Sequence, residues 1–203
     1  MDRRLQTGQV NTGVMLAIAV VAALIIIPWY THNDLTDKEE SVHSAWANVQ
    51  STLQRRADLI PALLKTVSRA MEYESETLES LAEQQAQLLA RHAGAPPAGD
   101  EDLNTLADMD QQLAAGSRQL LVVAGSLPEL RATDQFLQLQ SQLEGTENRI
   151  NVTRIRYNEA VRYYNGAIRG FIGRHVANSL GLEPRPYFEA STKAQSPVSM
   201  EFQ

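Results

Sequence analysis

Cysteine is absent from the 203 residues, which removes disulfides, thiolate metal sites and cysteine nucleophiles together and leaves the redox compartment unmarked. Lysine is scarce: Lys38, Lys65 and Lys193 stand beside fifteen arginines. With 24 acidic against 18 basic residues the net charge is −6, so the basic excess of a dedicated nucleic-acid binder is missing. Also missing are a Walker loop, a Gly-x-Gly-x-x-Gly turn, a His-Glu-x-x-His helix and a Gly-x-Ser-x-Gly elbow. A di-metal carboxylate bundle needs paired Glu-x-x-His motifs on facing helices. Glu40 with His43 has no twin, and His32, His92 and His175 are scattered. The residues point to no enzyme and no cofactor or metal.

What the chain does have is one uncharged apolar run. Residues 14–27 are fourteen apolar residues in a row, and with Gly13, Pro28, Trp29 and Tyr30 the segment reaches the length of a bilayer-spanning helix. Trp29 and Tyr30 suit the headgroup interface as anchors. Arg3 and Arg4 resemble the basic start of a signal peptide, but the Ile27-Pro28-Trp29 exit offers no small-x-small cleavage site, so an uncleaved anchor is expected. Two arginines before the span, against the single Lys38 among Asp34, Asp37, Glu39 and Glu40 after it, favour a cytoplasmic N-terminus. The remainder then lies outside the cytoplasm.

The second feature is a seam. Phe136, Leu143, Ile150, Tyr157, Tyr164 and Phe171 fall seven apart, with Leu139, Val161 and Ile168 in neighbouring positions. Such a repeat keeps one helical stripe facing a partner over many turns. It predicts a rod from Thr133, as N-cap, to Phe171, roughly 55 to 60 Å long. Apolar spacing of three and four from Leu35 to Leu88 predicts a second long helix, with Arg56 and Glu74 in core phase. Pro61 predicts a kink near Asp58 or a new helix capped by Asp58. Residues 93–99 read as a linker, and a shorter helix follows to about Gly125, with Asp100 or Asp102 as its cap.

Acidic residues crowd the middle of the chain (Glu72 to Asp110), whereas Arg149, Arg154, Arg156, Arg162, Arg169 and Arg174 make the long helix basic. These stripes read as complementary packing and solvated faces, or as a surface for anionic headgroups or a neighbouring subunit's acidic face. RNA fits poorly, because the aromatics of the basic helix are in seam phase and not free to stack.

Several stretches together resemble the LemA family of bacterial membrane proteins. They are Asn33-Asp34-Leu35, Ala45-Trp46, Leu53 to Pro61 (LQRRADLIP), Phe136 to Gln140, Leu143 to Ile150 (LEGTENRI), Arg156-Tyr157-Asn158-Glu159-Ala160-Val161, Tyr164-Asn165 and Pro186-Tyr187-Phe188-Glu189. Ala62, Tyr73 and Ile172 depart from the family's usual Asn, His and Pro. The resemblance implies a single N-terminal span and an elongated up-and-down bundle, and it supplies no reaction. One branch of the family is associated with magnetosome membrane formation.

The expected organisation is all-α: a cytoplasmic N-terminus (1–12), a transmembrane helix (13–31), a helical bundle of antiparallel long helices (32–182) and a disordered C-terminal tail (183–203). The expected role is a membrane-anchored scaffold or adaptor of the bacterial inner membrane, whose partners are the lipid bilayer and either further copies of itself or another envelope membrane protein, with no nucleic acid. The alternative is a sensor bundle that binds a small ligand or ion through the polar core candidates Arg56, Glu147, Tyr157 and Asn158. For Arg56 the expected partner is Glu147.

Overall fold

A proline inside a helix removes the donor for the carbonyl four residues earlier and crowds the preceding turn. At Pro61 the chain meets that loss from outside: the Ala57 carbonyl, which Pro61 cannot serve, accepts a hydrogen bond of 2.9 Å from Gln85 Nε2 on the next helix. The helix therefore continues. In the computed structural model, which describes residues 12–70 and 75–189, α1 runs unbroken from Thr12 to Ala70, 59 residues that include Pro28 and Pro61. The expected break at Asp58 is thus absent, and Asp58 is an exposed mid-helix residue that accepts from Gln54 Nε2 at 2.7 Å. Glu74, the other charge expected in core phase, lies outside the described residues.

Helix α2 (Ser75–His92) returns along α1, as the Gln85 contact to Ala57 requires. The linker reverses the chain at Gly94, whose φ of +128° is a conformation that L side chains rarely adopt. Its carbonyl is gripped by Trp46 Nε1 (3.1 Å) and Gln50 Nε2 (2.8 Å), which ties the α2–α3 connection to the first helix. Helix α3 (Asp100–Gly125) is capped by Gly99 without a side-chain bond. Asp100 and Asp102, the expected caps, instead sit in the first turn, where their charge favours the positive end of the helix dipole. A short α4 (Pro128–Arg131) leads to α5 (Asp134–Arg169), for which Thr133 is the N-cap, its Oγ1 accepting from Phe136 N.

Pairings fix the directions. Trp46 meets Tyr157 and Arg56 meets Thr146, so α1 and α5 are antiparallel; Arg154 meets Asp110 and Glu147 meets Arg118, so α5 and α3 are antiparallel too. The result is an up-and-down bundle of four helices, with the second half of α1 as its first member. The seam closes the core as expected from Phe136 to Tyr164, and Leu143 and Ile150 join the α1 residues Trp46 to Val67 in one buried cluster. Each large apolar side chain so enclosed contributes about 1.5–3 kcal/mol.

Two expectations give way at the end of the bundle nearest the apolar part of α1. The seam stops at Ile168, because Gly170 turns the chain, and Phe171 is 78% exposed at the start of α6 (Phe171–Leu180). Gly181, with φ of +67°, ends α6. Residues 183–189, expected as part of a disordered tail, are an extended strap laid back along α5, held as described below; residues 190–203 lie outside the described residues.

Candidate functional site

Asp110 sits in the core phase of α3, between Leu106 and Leu113, and its carboxylate is almost fully buried. One oxygen accepts from Arg56 Nη1 of α1 at 2.7 Å and the other from Arg154 Nη2 of α5 at 3.0 Å. Three helices are thereby joined through one carboxylate. Arg56, 3% exposed, also reaches Thr146 Oγ1 with Nε and the Asp110 carbonyl with Nη1, both at 3.5 Å. Buried charge demands compensation, and two guanidinium groups sharing one carboxylate leave an excess positive charge in the interior. The Arg154 pKa is lowered accordingly, first by burial and then by Arg56, with Asp110 opposing. Arg154 Nε is buried without a hydrogen-bond partner, and the Arg154 guanidinium lies 5.0 Å from the centre of the Phe188 ring.

Phe188 belongs to the strap, and the strap is read by its backbone. Asn158 Nδ2 donates to the Phe188 carbonyl and Asn158 Oδ1 accepts from the Phe188 N–H, both at 2.8 Å. Two turns further along the same face of α5, Asn165 does the same for Arg185, at 2.8 and 2.9 Å. Tyr164 Oη donates to the Glu183 carbonyl at 3.2 Å, and the Arg185 guanidinium lies 3.6 Å from the Glu39 carboxylate of α1. The Phe188 ring stacks on Trp46 and meets Tyr157 edge-on, with centroids 6.4 and 5.4 Å apart. Tyr157 is fully buried and its hydroxyl has no partner; burial pushes its pKa up to about 12 against the opposing pull of the Arg185 cation. Tyr164 is raised as well, by burial and then by Glu39, with Arg185 opposing.

Of the expected polar core residues, Arg56, Tyr157 and Asn158 are drawn inward, each to a different task. Glu147 is not. It lies on the surface, where it pairs with Arg118 at 3.3 Å, and so does not meet Arg56. The two do line one cleft of about 570 Å³, bounded by the ends of α3 and the first turns of α5, with Leu121, Val122 and Leu137 on its walls. Tyr157 is not part of it. Trp29 and Tyr30 stand exposed at the end of the apolar part of α1, whose side chains are nearly all unburied. Among the described residues no group of His, Asp or Glu is placed to hold a metal ion, and Glu40 and His43 acquire no such company.

The sequence alone places Asp110 in an acidic stripe and Asn165 in a family stretch, and it gives neither of them nor Arg185 a role in this site. Asp110 had a signal, since it falls three and four residues from Leu113 and Leu106, the same core phase that singled out Arg56.

The LemA family profile matches residues 45–202. Two relatives, Magnetosome protein MamQ 1 and Magnetosome protein MamQ 2 of Paramagnetospirillum magneticum strain AMB-1, are each 21% identical over 213 residues, covering 97% of this chain and 78% of each relative. Neither the family's description nor the relatives' names carry a reaction. With one helix among the described residues long and apolar enough to cross a bilayer, these likenesses are consistent with a single-pass, membrane-associated helical protein. The family match takes in the Trp46 clamp, the buried charge cluster and the strap, and the chain belongs to the LemA family.

Proposed function

We propose that this protein is a non-enzymatic scaffold of the bacterial inner membrane, which holds a helical bundle rigidly off the outer face of the bilayer to self-associate or to recruit another membrane protein. The observation that carries it is the continuity of α1 from Thr12 to Ala70: the same helix is the span and a wall of the bundle core. A hinge would let the bundle tumble; an unbroken helix ties its height and heading to the membrane. Relatives named for the magnetosome rather than for a reaction support a structural role. The outer face of α5 supplies a contact surface, with Val152, Ile155 and Tyr163 exposed at 39, 67 and 54% in helical phase. Four helices enclose the seam, so it is this stripe, not the seam, that asks for a cover.

Because the chain has no cysteine, single-cysteine variants report cleanly. Ile155→Cys should crosslink to a second copy or to a partner in native membranes, with light scattering on the extracted particle reading the mass. A monomer that crosslinks to nothing would sink the scaffold. The same approach at Thr36, labelled from outside intact cells, checks the orientation.

A second reading, a ligand-responsive bundle, has one observation behind it. Arg56 lines the cleft while only its Nε and Nη1 are committed, which leaves Nη2 for an anionic group with an apolar body. A thermal midpoint raised by decanoate in the native chain but not in Arg56→Met would favour it.

A further inference from the structure

At Gly173 an added Cβ would fall 2.0 Å from the Ala167 carbonyl oxygen, so only glycine lets α6 fold this closely over the end of α5. The fold-back brings Ile172, His175 and Val176 beside Val20, Ala23, Leu24, Ile27 and Pro28 of the span, across a groove of about 370 Å³. Except for His175, every side chain along it is apolar. We propose that this groove is a slot for one acyl chain of an anionic phospholipid, whose headgroup is held at the basic end of α5 and α6. The assignment rests on the reading of α1 as a membrane span.

Depth selects the occupant. Trp29 marks the headgroup level, and the eight helical steps from Pro28 back to Val20 descend about 12 Å, within the roughly 15 Å of one hydrocarbon leaflet. Water at that depth finds only His175 as a polar side-chain partner, fewer than the two to four it needs, while acyl chains are already there. Charge selects the headgroup. Arg169 and Arg174 are exposed and make no ion pair among the described residues, and α6 carries no acidic residue. His175, its ring met edge-on by Phe171 at 5.8 Å, follows Arg174 directly in α6 and is the one polar side chain lining the slot. Phe171 itself, with Ile172 and Leu180, presents exposed apolar surface, as an interfacial helix does.

The test uses the full chain in vesicles with bromine on the acyl chains of either phosphatidylglycerol or phosphatidylcholine, read by quenching of Trp29. At equal mole fraction the brominated phosphatidylglycerol should quench about fivefold more effectively, the effect of one interfacial cation. Arg169→Gln with Arg174→Gln should bring the two lipids to parity, and Ala23→Phe, which fills the slot from the lipid-facing side of the span, should do the same with both arginines present. Equal quenching in the native chain overturns the proposal, as does a preference that survives Ala23→Phe. Alkaline carbonate separates the two levels of failure. A chain washed off the vesicles is no membrane anchor and loses the site with it, whereas a chain that stays in and shows no preference loses the slot alone.

Discussion

Asn158 holds Phe188 by both of its backbone polar groups, accepting from the N–H and donating to the carbonyl at 2.8 Å each. The amide thus replaces a neighbouring strand, and both strap groups are satisfied without a sheet. Asn158→Ala should cost about 1–3 kcal/mol, the range for leaving buried polar groups unpaired, and should speed amide exchange at Phe188. Asn158→Asp, which keeps the acceptor and loses the donor, should fall between. An unchanged urea midpoint together with unchanged exchange would show that the strap contributes nothing.

Asp110→Asn should destabilise far more than Glu147→Gln. The first strands two arginines in the interior and should cost about 3–5 kcal/mol, whereas the second removes a half-exposed pair with Arg118 worth less than about 1. Chemical unfolding of the two variants side by side decides it; equal losses would mean that the buried cluster is hydrated.

Gln85→Leu should cost about 1–3 kcal/mol, because it bares the Ala57 carbonyl that Pro61 leaves without a helical donor. In a Pro61→Ala background the new N–H takes over that carbonyl, so the same substitution should be nearly neutral. Additive losses in this double-mutant cycle would contradict the substitution of one donor for the other.

How much of this was legible follows from where each partner lies. The seven-residue repeat exposed the seam because its residues recognise a helix face, and helix faces recur within a short stretch of sequence. Phe171 obeyed the spacing and still fell outside, since Gly170 ends the helix first. Arg56 announced itself by phase, but its partner was sought next to the seam on α5 and lies instead on α3, where Asp110 carries the same phase signal. Asn158 and Asn165 gave no cue to their role, because each binds backbone 20 to 30 residues away, and backbone has no side-chain signature. Pro61 by itself predicts a kink or a break, and the break does not occur because the donor that rescues the Ala57 carbonyl comes from another helix.

Leu143→Ala should cost about 2–5 kcal/mol, and toward the lower end, because Leu143 borders the open cleft and the vacated space can fill with water. Ile150→Ala, deeper in the same cluster at 2% exposure, should cost more. Thermal midpoints in that order support the seam, and no change in either would remove it.

The Tyr157 phenol should titrate late and couple to folding. Its folded pKa of about 12 lies above the ordinary 10, so the folded state keeps the proton over that window. Its contribution is fully present below about pH 10 and is lost as pH rises toward 12. Tyr157→Phe should flatten that alkaline loss and, by deleting a buried hydroxyl without a partner, leave neutral-pH stability unchanged or higher. Tyrosinate absorbance against pH, in the native chain and in Tyr157→Phe, reads both effects; a phenol titrating at its ordinary position would refute the burial argument.

The two asparagine clamps make the strap and the helix commensurate. From Asn158 to Asn165 the helix climbs seven residues, about 10.5 Å. From Arg185 to Phe188 an extended chain covers three residues, about 10 Å. Two lattices of unlike period coincide at those two points, as marks on a vernier do. Sliding the strap by one residue would bring neither amide opposite a matching peptide unit and would turn Phe188 out of its aromatic box. A deletion or insertion between Arg185 and Phe188 therefore spoils the match in a way that point substitutions of Pro186 or Tyr187 need not, and length, more than side-chain identity, is what this segment has to keep.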